Sequence, residues 1–229
     1  MMIFTTIPTK WNYEVGTKSL PSLLYEVIKS NSLRNTFGDE LGYIYSSFIE
    51  NLEFYGDFIN RISEDPSSGW WDNQFTPQKE TRYDIILESV MDSIEEIRVK
   101  LGGKRENWTW GAIHMYYFDH PLGRMKLLDL IFNPKSIPAP GDRDTINKSY
   151  FSYISPFNVT QAPSYRFIVD LFDVSKALAM NSTGQSGNPF SGHYSDSVEK
   201  WARVNYHQLF FDYKDIKENR WKEQSLIPR

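Results

Sequence analysis

Apolar positions recur at helical spacing in the first part of the chain and alternate in the second. Leu20, Leu23, Leu24, Val27 and Ile28 fall at i, i+3, i+4, i+7 and i+8, the stripe of an amphipathic helix. Ser19 stands before that stripe as an N-cap, and Pro21 suits the first turn, where its missing N–H is not needed. A second series, Leu41, Ile44, Tyr45, Phe48, Leu52, Tyr55, Ile59 and Ile62, predicts about six more turns. After a loop bearing Trp70-Trp71, which reads as an anchor onto the helices, a third series runs from Tyr83 through Ile86, Leu87, Val90, Ile94 and Ile97 to Leu101. Gly102-Gly103 supplies its C-cap.

From Trp108 the period becomes two. Trp108, Trp110, Ala112, His114, Tyr116 and Phe118 fall on one side, with Thr109, Gly111, Ile113, Met115 and Tyr117 on the other. Both faces are largely apolar, which predicts a sandwiched strand. Segments 149–155, 165–171 and 176–181 read as further strands, and Asp196 or Ser195 as the N-cap of a helix through Val198, Trp201, Ala202 and Asn205. Helices followed by antiparallel strands predict an α+β chain, with a helical region over 1–103 and a strand-rich region over 104–229.

With 229 residues the chain is long enough for one sizeable core or two small ones. Aromatics make up 16%, which fits either a large aromatic core or a surface that faces another chain. A net charge of −4 with scattered Lys and Arg argues against a nucleic-acid partner. The absence of cysteine excludes disulfides and thiolate metal sites. No apolar run approaches the ~20 residues of a membrane helix, and no signal peptide is legible, so no membrane partner is expected and the compartment stays open.

Candidate chemistry is sparse. His114, Asp119 and His120 do not form a metal site, because strand parity opposes Asp119 to His114 and Pro121 turns His120 away. Hydrogen bonds that lock the strand and the corner are expected of these two histidines, and neither metal nor cofactor is expected. Asp170, between Phe167-Ile168-Val169 and Leu171-Phe172, is costly to bury without partners. Arg166 shares its face, but four strand residues set them roughly 13 Å apart. Asp170 is therefore either a strand-end carboxylate bonded to backbone N–H groups or a charge whose partner lies outside the chain.

One stretch is more specific. Gly184-Gln185-Ser186-Gly187-Asn188-Pro189, followed by Ser191-Gly192-His193-Tyr194-Ser195-Asp196 and Trp201, resembles the C-terminal signature of the penicillin amidase (penicillin acylase) family of N-terminal-nucleophile hydrolases. The glycines let the backbone take unusual conformations or approach another segment. The likeness extends upstream to Ser164–Leu171, to the turn at Pro140–Asn147, to Trp110-Gly111 with His120-Pro121-Leu122-Gly123, and to Trp11-Asn12. It implies part of an αββα sandwich and an amide hydrolase in which a serine at the start of a chain attacks the carbonyl and its own α-amine acts as base.

This chain opens Met1-Met2-Ile3, lacks a Gly-Ser junction and shows no such serine. The resemblance thus implies a fragment that works with a companion chain carrying the α subunit and the N-terminal part of the β subunit. Its substrate would be a small acylated amine. Asp170 is similar to a glutamate that, in the cephalosporin-acylase branch, orients a histidine near the catalytic serine. His193 and Asn188 are candidate binding residues of the loop. A non-catalytic module that binds a partner or ligand is the alternative.

Overall fold

Ser19 Oγ accepts the Ser22 N–H at 3.1 Å and starts α1, Leu20–Leu41, where its stripe begins. The computed structural model describes residues 11–220, 225 and 227; the Met1-Met2-Ile3 start lies outside them. Spatial proximity divides the chain into two units, Met1–Tyr117 with Ser136–Ala162 and Phe118–Lys135 with Pro163–Arg229. The described residues combine helices with antiparallel sheet, an α+β fold.

In the first unit α1 ends at Gly42, whose φ of 49° lies in the left-handed region. The second apolar series is not one helix. It breaks into α2, Tyr45–Glu50, and α3, Gly56–Glu64, with tight three-residue-per-turn segments before each. The third series forms α4, Arg82–Leu101, opened by a capping box between Thr81 and Asp84 and closed at Gly102, φ 78°. The buried face of α4 differs from the apolar stripe: Ile85, Ser89, Ser93 and Ile97 are buried, whereas Tyr83, Leu87 and Ile94 are exposed. The small serines admit α1 closely. Asn31 then donates to Ser93 Oγ and Glu96 at 3.0 Å, and Asn35 to Asp92 at 3.0 Å.

The long strand expected from Trp108 does not form. The Trp110 N–H donates to the Ser19 carbonyl at 3.1 Å and the Gly111 N–H to that of Thr17 at 2.7 Å. These bonds pull 110–112 into a tight turn, and only β1, Met115–Tyr116, remains extended, paired antiparallel with β2, Ile137–Pro138. Segment 149–155 is likewise not a strand; only a single bridge joins Tyr150 to Gln161. Two of its aromatics still build the core, in which Phe151 and Tyr153, with Phe157 just beyond the segment, join Trp108, Trp110, Leu23, Val27 and Phe37. The aromatic excess therefore does fill a core here.

The second unit holds α5, Lys126–Phe132, and a three-stranded sheet whose strands are neighbours in chain order. β3, Tyr165–Asp170, and β4, Asp173–Asn181, form a hairpin in the two segments expected to be strands, and β5 is His207–Gln208. α6 spans Val198–Ala202 and α7 Tyr213–Asn219. α6 has Ser197 at its N-cap position, without a side-chain cap, and stops short of Asn205. Neither Asp196 nor Ser195 caps it, because Asp196 is engaged by His193. The buried core of this unit centres on Trp201, with Ala177, Met180 and Val198.

Candidate functional site

The glycine-bearing loop of the second unit is closed by its own hydrogen bonds. A Cβ on Gly184 would collide with the His193 carbonyl oxygen, so only glycine permits this approach, and the Ser186 N–H then donates to that carbonyl at 3.1 Å. Gly187 has open space around it and no such requirement. Asn188 is exposed; its side-chain oxygen accepts the Phe190 N–H at 3.0 Å and its carbonyl the Ser191 N–H at 2.9 Å. Ser191 Oγ accepts the His193 N–H at 3.2 Å. His193 Nδ1 lies 2.9 Å from the Asp196 carboxylate, and since a carboxylate only accepts, Nδ1 carries the proton. That hydrogen bond holds the Asp196 carboxyl below its ordinary range.

Further bonds tie the loop down. Tyr194 donates its hydroxyl proton to the Phe132 carbonyl at 2.6 Å, and Ser197 N–H meets Thr183 O at 2.8 Å. Trp201 donates its indole N–H to Pro163 O at 2.9 Å, with the Arg166 guanidinium 4.6 Å from its ring centroid. Arg166 also donates to the Trp201 carbonyl. These partners were not legible in the sequence, since Arg166 meets Trp201 across 35 positions and no local period relates them.

Asp170 stands apart. It ends β3 beside the turn, paired with Asp173, while Tyr165 at the other end pairs with Asn181, where the loop departs. Five residues of strand separate the two ends by roughly 16 Å. Asp170 is exposed rather than buried, and its carboxylate accepts the Phe172 N–H at 2.9 Å. His193 and Asn188 share one loop; Asp170 is not brought to them.

In the first unit the ionisable side chains of His114 and Glu26 are enclosed. His114 donates from Nδ1 to the Phe157 carbonyl and stacks on Trp110 at 4.3 Å, and burial pushes its pKa down to about 4. In the second unit His120 accepts the Leu122 N–H at 3.1 Å and closes its corner as expected, whereas His114 locks a turn instead of the expected strand. Glu26 accepts the Tyr153 hydroxyl proton at 3.2 Å, and burial raises its pKa to about 7. The Lys29 ammonium, 3.1 Å from Asp144, only partly opposes that rise. Glu26 was readable as an outlier, a carboxylate three residues after Leu23 and beside Val27 within the apolar stripe. Among the described residues no group of three or more His, Asp or Glu side chains is placed to hold a metal ion, and no helix is long and apolar enough to cross a membrane.

The family model described as penicillin amidase matches residues 8–218. The acyl-homoserine lactone acylase QuiP of Pseudomonas fluorescens (strain Pf0-1) is 34% identical over 198 residues, which are 84% of this chain and 23% of that protein. QuiP of Pseudomonas aeruginosa is 30% identical over 211 residues, covering 84% of this chain and 25% of the relative. Penicillin acylase 2 proenzyme of Pseudomonas sp. (strain SE83) is 26% identical over 120 residues, or 52% and 16%. The chain spans about a quarter or less of the length of these relatives.

Proposed function

Because this chain belongs to the penicillin amidase family, we propose that it is the C-terminal portion of an acylase-type amidohydrolase whose nucleophilic serine is carried by a companion outside residues 1–229. The observation that carries this reading is that relatives named as acylases match most of this chain with only about a quarter of their own length. In the assembled enzyme the serine attacks the amide carbonyl of a small acylated amine and fixed donors stabilise the oxyanion; the C–N bond then breaks, the amine leaves with a proton, and water cleaves the acyl-enzyme ester to release the carboxylic acid and restore the serine. The β3-β4-β5 sheet then extends one layer of an αββα sandwich. In support, β3 has a neighbour on one side only within the described sheet, and Phe167, Ile168 and Phe172 beside it are exposed.

The site residues take their roles within that assembly. Asp170 supports a cation of the companion, and His193 and Asn188 are accessible loop side chains that meet the substrate. Co-expression with a family segment that begins with the catalytic serine tests the proposal. Hydrolysis of a phenylacetyl anilide or an acyl-homoserine lactone is expected only from the combination. Activity from the companion alone, undiminished without this chain, would sink the reading and leave a non-catalytic binding module in its place.

A further inference from the structure

A cavity of about 80 Å³ lies within the first unit, lined by Leu33, Phe37, Ile59, Ile62 and Trp71. Ser32 also lines it, and its hydroxyl oxygen is buried with no hydrogen-bond partner among the described residues. That is unusual for a buried helical serine in this chain. Ser63, Ser89 and Ser93 each turn their hydroxyl to the carbonyl four residues back. An unmet buried hydroxyl is costly and calls for a physical explanation. Of the other polar residues of the lining, Ser63 bonds to Ile59 O at 2.8 Å and the Lys29 ammonium is held by Asp144, while Thr36, buried one turn on from Ser32, adds a second hydroxyl.

We propose that this cavity binds a small neutral amphiphile, a hydrocarbon body of about four or five carbons bearing one hydroxyl or amide that hydrogen-bonds to Ser32. The apolar walls take the hydrocarbon and Ser32 takes the single polar group. With the Lys29 charge already paired, no cation in the lining is left to hold a carboxylate. The site lies within the helical unit and does not depend on the acylase reading.

Titration of the full chain with cyclopentanol, following the Trp71 indole N–H resonance, tests the proposal, with cyclopentane as the control that lacks a hydroxyl. Trp71 is a direct reporter because its ring lines the cavity while its N–H is anchored on Asp65 O at 2.8 Å. A saturable shift is expected with cyclopentanol. Ser32→Ala, a mild change in a helix, is expected to weaken cyclopentanol about tenfold and leave cyclopentane unchanged. Ser32→Leu, which fills the space, is expected to abolish both. No saturable shift in the unmodified chain would overturn the proposal, as would equal cyclopentanol affinity in Ser32→Ala.

Discussion

Burial moves the titrations of Glu26 and His114 in opposite directions, and the signs fix how stability follows pH. Glu26 is neutral in the folded chain up to about pH 7, whereas the unfolded chain ionises it near 4.5. The stability it contributes is present below about 4.5 and is lost as pH rises to about 7. His114 stays neutral down to about 4 when folded but protonates near 6.5 when unfolded. Its contribution is present above 6.5 and is lost as pH falls to about 4. Between about 4.5 and 6.5 the two offset each other, each on the order of 2–3 kcal/mol. Glu26→Gln keeps an acceptor for Tyr153 and removes the ionisation. It should raise the melting temperature above pH 7 and unmask a loss of stability from pH 6.5 to 4; a melting profile parallel to the unmodified chain would refute this. At Asp170, replacement by Asn retains an acceptor for the Phe172 N–H, so the hairpin should melt unchanged. In the reconstituted enzyme we expect activity to fall about tenfold or more; full activity would leave only the turn contact.

Within single elements, caps and close approaches decide more than composition does. Ser19→Ala removes the acceptor for the Ser22 N–H and should cost about 1 kcal/mol, read as a lower denaturation midpoint at unchanged m-value. The loop glycines separate in the same way. Gly184→Ala puts a methyl group into the His193 carbonyl and should destabilise the chain by roughly 1–3 kcal/mol, while Gly187→Ala meets open space and should lie within about 0.5 kcal/mol of the parent. Equal melting temperatures for the two variants would show that the loop does not need this approach. Both glycines belong to the same motif, yet only one is required by contact.

Over the whole molecule, apolar surface left in contact with water is the dominant feature. Leu127 and Leu130 on α5, Leu171 and Phe172 at the hairpin turn, and Tyr83, Leu87 and Met91 on α4 are all exposed. Patches and free strand edges of this kind drive association. The purified chain is therefore expected to oligomerise or to bind a hydrophobic dye, and to lose both behaviours when a companion covers these faces. Sedimentation as a single monomer, with a cooperative melt and no dye binding, would count against it.

What the sequence determined by itself is what short-range rules govern. The start of α1 at Ser19, the limits of α4 and the β3-β4 hairpin follow from caps, glycines and period, each within a few residues along the chain. The family, too, was legible in the loop from Gly184 to Asp196, because that string of turn residues is specific. Tertiary structure decided the rest. Alternation at 108–118 promised a strand, but the Trp110 and Gly111 N–H groups are taken by carbonyls of Ser19 and Thr17, some ninety positions earlier, and the segment turns instead. The apolar stripe of α4 promised its buried face, yet the serines let α1 approach more closely than leucines would, and Asn31 and Asn35 find partners there. Asp170 stood among apolar neighbours in the sequence, and the hairpin carries it to an exposed turn. In the first two cases a long-range hydrogen bond or a packing distance outweighed a local preference worth less than about 1 kcal/mol per residue, and at Asp170 the tight hairpin did so.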